Sequence, residues 1–279
     1  MNNKENKNKP TVDFKDFEES LTKESSYILG LLWADGHLMK KSRLTSINMS
    51  ADDILDVKNI FLKTGNWRIS QPFKKFFNNK EVKSQIKIST TTWGLYYILE
   101  KYNYLEKSSV SPDDILNKLP LNLKKYWFRG YLDGDGCIRI KDKKYMGVVF
   151  AGSYEQNWNF LISLCESLNI KFLIKKYIVK LGKYSQFVIY KKYDTLKFCE
   201  FIYDDFNNIG LKRKYDKFIE IKKYVTNREI NGWTEQKIKW LTANYKILGG
   251  KKCSEHLNKS LGSIHNKIRY LKTNEISNQ

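Results

Sequence analysis

Two acidic residues, Asp35 and Asp135, each close an apolar run and each precede a glycine: Gly30-Leu31-Leu32-Trp33-Ala34-Asp35-Gly36 and Gly130-Tyr131-Leu132-Asp133-Gly134-Asp135-Gly136. Gly30 and Ala34, and likewise Gly130 and Gly134, stand four residues apart and share one helix face. Small residues there let two helix backbones come close. If those faces pack together, Asp35 and Asp135 arrive side by side at two helix C-termini, where the macrodipole is negative and the carboxylates repel each other. A divalent cation resolves that conflict. Carboxylate oxygens with backbone carbonyls suit Mg²⁺, which keeps several waters and favours phosphate-bearing substrates. The spacing points to phosphodiester chemistry.

The elements that must position these acids repeat in one order. After Asp35, residues 37–43 and 44–50 read as paired strands, and 51–63 as a helix with Ile54, Val57, Ile60 and Phe61 on one face. Strands are predicted over 67–73 and 82–89, with a turn at Asn78-Asn79, and a helix over 92–102 closes the half. The second half predicts strands at 137–141 and 145–151, a helix at 154–168, strands at 171–179 and 184–191, and a helix at 193–203. The expected fold is α+β. Pseudo-twofold αββαββα halves, 15–110 and 111–226, each carry an antiparallel saddle-like sheet and follow a flexible tail at 1–14. A helix over 212–225 and a polar linker over 226–231 lead into a small all-α trihelical domain at 232–272.

One face of these strands is polar. His37, Met39, Lys41 and Arg43 in one half, and Arg139 and Lys141 in the other, lie an even step beyond the acids. Alternation likewise sets Ser46 and Asn48 against Ile47 and Met49, Arg68 against Trp67 and Ile69, and Lys83, Gln85 and Lys87 against Ile86 and Ile88. A two-stranded ribbon fits the major groove of B-DNA, where Arg, Lys, Gln and Asn read base edges while other lysines neutralise phosphates. The same alternation also describes a simple solvated sheet face.

Charge gives an independent bound. Lys plus Arg number 50 against 30 Asp plus Glu, a net charge of +20 in 279 residues, which marks a polyanionic partner and above all nucleic acid. A hydrophobic content of 41% argues against global disorder. No run of 18 apolar residues suggests a membrane span, and the first ten residues are too polar for a signal peptide, so a cytoplasmic location is expected. Cys137, Cys165, Cys199 and Cys253 are far apart, without Cys-x-x-Cys spacing, and read as reduced thiols, mostly packed. His37, His256 and His265 lack the spacing of a zinc protease or a histidine-based nuclease. Catalysis is left to carboxylates and lysines.

On these motifs the chain resembles the single-chain, two-motif form of the LAGLIDADG homing endonucleases, over roughly residues 15–226. The resemblance implies that the motif helices form the subdomain interface and that curved sheets on either side grip double-stranded DNA. It also implies that Asp35 and Asp135 bind Mg²⁺, with Mn²⁺ able to substitute, and that the carbonyls of Ala34 and Gly134 assist. Trp33 stands where the motif has its first acid, and Leu29 and Arg129 where it has a small residue; both departures bear on packing. Each half ends in a basic knot, Tyr104-Leu105-Glu106-Lys107-Ser108 and Gly210-Leu211-Lys212-Arg213-Lys214-Tyr215, where the family has a lysine-containing segment. Lys107 and Lys214 are carried over as catalytic, with Lys212 or Arg213 as alternatives for the second place. A lysine there would stabilise charge developing at a metal-bound phosphate.

The C-terminal segment resembles a helix-turn-helix of the Myb-like kind. Thr234 is a plausible N-cap, Trp233, Ile238, Leu241 and Tyr245 supply an apolar side, and Gly249-Gly250 makes a turn. Cys253 and Leu257 mark a second helix. Ile264, Ile268 and Leu271 mark a third, whose other face carries Ser263, His265, Asn266, Lys267 and Arg269. From Gly232 onward nine Lys plus Arg oppose three Glu, consistent with DNA contact.

The expected activity is a Mg²⁺-dependent double-strand break, one cut per strand across a narrowed minor groove, by a monomer recognising a long, nonpalindromic site. The family resemblance implies short 3′ overhangs. Two alternatives stand beside it: a maturase that binds intron RNA, and a cleavage-inactive DNA-binding regulator on the same scaffold. A protein-splicing element is disfavoured, because the chain lacks a nucleophile at its start and a His-Asn ending.

Overall fold

Thr22 and Ser25 start the first motif helix. They form a reciprocal capping box, Ser25 N–H donating to Thr22 Oγ1 at 3.1 Å and Thr22 N–H to Ser25 Oγ at 2.9 Å. A computed structural model of the chain describes residues 14–77, 80–142, 145–180, 182–230 and 232–276; the side chains of 75–77, 80–83, 226–230, 235 and 272–276 lie outside the description. After a 3₁₀ turn at Phe14–Phe17, the first half runs α1 (Lys23–Asp35), β1 (His37–Met39), β2 (Leu44–Ser50), α2 (Ala51–Thr64), β3 (Arg68–Ile69), β4 (Phe73–Phe77), β5 (Lys80–Thr90) and α3 (Trp93–Lys101). The second runs α4 (Asp113–Lys118), α5 (Leu121–Asp135), β6 (Gly136–Lys141), β7 (Tyr145–Ser153), α6 (Asn159–Ser167), β8 (Phe172–Val179), β9 (Gly182–Ile189), α7 (Lys192–Tyr203) and α8 (Lys212–Ile230).

Both sheets are antiparallel. The first has the order β1-β2-β5-β3, with β4 also pairing β5, and the second β6-β7-β9-β8. Ile47, Met49, Ile86 and Ile88 in one sheet, and Ile138, Val148, Phe150, Phe187 and Ile189 in the other, are buried under the helices. Alternation does the sorting, leaving the opposite face of each sheet in water. The fold is α+β; both halves follow the expected αββαββα order, the first with one strand more after α2 and the second with α4 ahead of its motif helix.

Several boundaries differ from expectation. Pro72 lacks the N–H a ladder needs and divides the strand expected over 67–73 into β3 and β4. The pair expected over 37–43 shortens to β1, and Arg43 sits in the following turn at φ +50°. The expected helix over 154–168 starts only at Asn159, because β7 continues pairing with β9 as far as Ser153 and Tyr184. Helix α4 is unanticipated; Pro112 caps it and two acids occupy its first turn. The linker expected at 226–231 is helical through Ile230, since that polar stretch contains no glycine or proline to stop α8. Asn78-Asn79 and Asn231 lie outside the described residues.

The chain divides into two compact units, Met1–Lys222 and Lys223–Gln279, so the division falls within α8. In the second unit, Thr234 Oγ1 accepts from Lys237 N–H at 3.2 Å and opens α9 (Glu235–Leu257). That helix breaks at Gly249, whose φ of +71° suits glycine, and α10 (Leu261–Ile276) follows. Leu241, Cys253, Leu257 and Ile264 form its core, with Trp233, Trp240, Tyr245, Leu248 and Ile268 packed around them. Cys165, Cys199 and Cys253 are buried free thiols and Cys137 is exposed. Among the described residues, no helix is long and apolar enough to cross a membrane.

Candidate active site

The crossing of α1 and α5 brings the two acids together. A Cβ on Gly30 would fall 1.8 Å from the Trp127 carbonyl oxygen, and one on Gly130 would fall 2.0 Å from that of Tyr27, so backbone meets backbone at both points. A Cβ on Gly134 would meet the Ala34 Cβ at 2.3 Å and Asp35 Oδ2 at 3.2 Å. The Asp35 carboxylate thus leans against the residue preceding Asp135. All four predicted small-residue positions, Gly30, Ala34, Gly130 and Gly134, lie in this contact.

Both acids are raised above the ordinary carboxylate value. Burial first, and then the charge of Asp35, pushes the Asp135 carboxyl up to about 7, against the opposing pull of Lys107 and Lys214. Asp35, which opens to solvent, is raised by its partial loss of water, with the same two lysines opposing.

Lys107 and Lys214 close the two helix ends. Lys107 Nζ donates to the carbonyls of Leu32, Ala34 and Gly36 at 3.3, 2.8 and 2.7 Å. Lys214 Nζ donates to those of Leu132, Asp133 and Gly136 at 2.5, 2.7 and 2.8 Å. Each ammonium satisfies orphan carbonyls and opposes the negative end of a macrodipole. Burial lowers Lys107 and brings Lys214 down to about 8. The alternatives in the second knot are engaged elsewhere: Lys212 pairs with Asp216 at 2.7 Å, and Arg213 Nε donates to Asp53 Oδ1 at 2.6 Å. Of these three side chains, Lys214 is the one that donates to the carbonyls closing α5. The Ala34 carbonyl is already an acceptor for Lys107, whereas Lys214 takes the Asp133 carbonyl in place of that of Gly134.

Sequence reasoning passed over what surrounds Asp133. This buried carboxylate accepts from Tyr27 Oη at 2.9 Å, Tyr203 Oη at 3.0 Å and the Leu211 N–H at 2.8 Å. One turn earlier, fully buried Arg129 donates to the carbonyls of Ile202, Phe206 and Ile209 and to Asp205 Oδ1 at 3.0 Å. The signal available was the acid at 133 opposite Trp33 in the repeat; Tyr27 reaches it from α1, while Tyr203 at the end of α7 and Leu211 just beyond that helix lie 70 and 78 residues further along the chain.

Of the base-reading candidates, His37, Lys41, Asn48, Arg68, Arg139 and Lys141 are exposed, and Gln85 and Lys87 half-buried. Arg43 lays its guanidinium over the Trp93 ring at 3.7 Å. Ser46 shares the face of Asn48 and is only 4% exposed, flanked by His37 and Ser89 on adjacent strands. The Lys83 side chain lies outside the described residues. In the second unit Asn266 and Arg269 are exposed, and Lys267 lies 5.1 Å from the Tyr270 ring centre. His265 turns toward the Gly249-Gly250 break, edge-on to Tyr245, and its Nε2 would lie 2.7 Å from a Cβ on Gly250.

The donor set can be tested against a divalent cation. No group of three or more His, Cys, Asp or Glu among the described residues could hold a metal. Two convergent carboxylates fit Mg²⁺ in its common mode, where one or two carboxylates, waters and substrate phosphate complete the shell. Burial, with the charge of Asp35 second, raises Asp135, and a bound cation would favour the ionised form of both carboxylates.

No family model matches the chain, and no curated protein matches it. Among solved structures it is similar to full-length DUF199/WhiA from Thermatoga maritima, at 17% identity over 89% of this chain and 90% of that one, with a TM-score of 0.47. It is similar to the homing endonuclease I-WcaI bound to its DNA recognition sequence, at 17% identity over 73% and 91%, TM-score 0.49. It is also similar to the I-SmaMI LAGLIDADG homing endonuclease bound to cleaved DNA, at 14% identity over 80% and 95%, TM-score 0.46.

Proposed function

We propose that this chain is a site-specific double-strand DNA endonuclease of the LAGLIDADG homing type, acting as a monomer with a divalent cation, Mg²⁺ or Mn²⁺. The observation that carries this reading is the meeting of Asp35 and Asp135 at two helix ends closed by Lys107 and Lys214. A bound divalent cation supplies Lewis-acid activation of water and neutralises charge at the scissile phosphate. Asp35 and Asp135 would hold it. Lys107 and Lys214 keep both helix termini in register and place positive charge beside the carboxylates, which favours an approaching phosphate. The two sheet faces, with Arg68, Lys87, Arg139 and Lys141, bind and position the duplex, and the +6 C-terminal unit adds DNA contact through α10.

The test uses the full chain and duplexes it selects from a randomised library. With Mg²⁺ the parent should cut both strands of a selected duplex. Asp35→Asn and Asp135→Asn should each abolish double-strand cutting while binding stays within about threefold, since neither removes a cation that meets phosphate. Cutting retained in both variants overturns the assignment.

A further inference from the structure

Two residues past each motif acid, a row of side chains crosses four strands on the sheet face turned away from the core. In the first sheet His37 pairs with Ser46, Ser46 with Ser89, and Ser89 with Arg68. In the second, Cys137 pairs with Val149, Val149 with Val188, and Val188 with Leu173. The rows are built alike. Their second members are nearly covered, Ser46 at 4% and Val149 at 5% exposure, while His37, Arg68, Cys137 and Leu173 are open to solvent and Ser89 and Val188 partly so. Their chemistry is opposite: the first row offers hydrogen-bonding groups in every strand, and the second offers a thiol and three aliphatic side chains.

A face meant only for water gains nothing from aliphatic groups aligned across its strands. The surrounding positions indicate what covers them. The adjacent register row holds Ala151, Gln186 and Lys175, and β6 continues from Cys137 to Arg139 and Lys141. Cations beside an apolar strip match a major groove, where phosphates line the edges and the thymine C5 methyl is the one apolar group on the floor.

Building on the DNA-binding reading above, we propose that the Cys137-Val149-Val188-Leu173 row recognises thymine C5 methyl groups in the half-site facing the second sheet, at the base pairs nearest the carboxylate pair. The first sheet reads its corresponding base pairs through hydrogen bonds. The target is therefore chemically unequal in its two halves.

Dissociation constants of the full chain for a selected duplex, with deoxyuridine replacing thymidine in one half at a time, test this directly. Uracil keeps every hydrogen-bonding group and lacks only the methyl. Substitution in one half should weaken binding roughly fourfold per methyl buried, and in the other half should leave it unchanged. Leu173→Asn and Val188→Thr should erase that penalty, whereas Arg68→Ala should leave it intact. A duplex with 5-methylcytosine in place of cytosine separates methyl recognition in general from selection of thymine. Equal affinity for thymine and uracil duplexes overturns the proposal while leaving DNA binding standing, as does a uracil penalty that survives both row variants. Failure to bind any duplex overturns the endonuclease reading and this inference together.

Discussion

In the first half, the residue two before the motif acid is Trp33, packed edge-on to Tyr104 with ring centres 4.9 Å apart, while Tyr104 Oη donates to the Leu29 carbonyl. In the second half it is Asp133, held by the hydroxyls of Tyr27 and Tyr203 and by the Leu211 amide, with Arg129 clamping the segment from Ile202 to Ile209. The same backbone task, fixing the last turn of a motif helix, is solved once by aromatic packing and once by a buried polar network. The acids and the capping lysines are the same in both. The two halves keep the carboxylates and the lysine-closed helix ends, while the support behind them differs and in each half fills the space and satisfies its polar groups.

The deepest way to break the comparison is at what both halves share. Gly30→Leu forces side-chain atoms into the Trp127 backbone, which cannot move aside, and should prevent cooperative folding of the first unit, seen as loss of its unfolding transition in urea. Next come the unlike supports. Asp133→Ala strands two tyrosine hydroxyls and an amide and should cost roughly 3 kcal/mol or more, and Arg129→Lys, lacking the planar fork, a similar amount; Trp33→Phe should cost less than either. Urea unfolding of the three variants ranks them.

A smaller effect separates the like acids by pH. Asp135 ionises near its ordinary value of 3.8 when unfolded and at about 7 when folded, so the folded state binds the proton more tightly. Its contribution to stability therefore declines as pH rises from about 4 to about 7. Asp135→Asn removes that decline. The variant should match the parent near pH 4 and exceed it by about 1–3 kcal/mol at pH 8 without divalent ions, as thermal unfolding across that range would show. Lys214, lowered to about 8, titrates in a separate window above this one. Smallest of all is Lys212→Ala, which breaks an exposed pair with Asp216 and should shift stability by less than about 0.5 kcal/mol.

Glycine spacing and a terminal acid are local marks of a close helix crossing, so the approach of Asp35 to Asp135 was legible at a hundred residues' separation. Strand alternation likewise identified the buried faces. Arg129 was visible only as a departure, because its acceptors belong to a loop that reaches it through tertiary packing. Alternation put Ser46 on the side it occupies but says nothing of how closely neighbouring strands cover it. At 226–230, polar composition suggested a linker where helix propensity met no breaker. The opposite chemistry of the two rows across the sheets depended on register, which pairs residues from strands far apart in sequence.

The backbone-on-backbone crossing of α1 and α5 has a consequence for biosynthesis. Tyr27, Gly30 and Leu31 leave the ribosome about a hundred residues ahead of the helix they meet. At about 5–20 residues per second, that interval lasts roughly 5–20 s. The nascent first half must keep an apolar helix face waiting for its counterpart, which exposes it to chaperones and to premature pairing with another copy at the same stage.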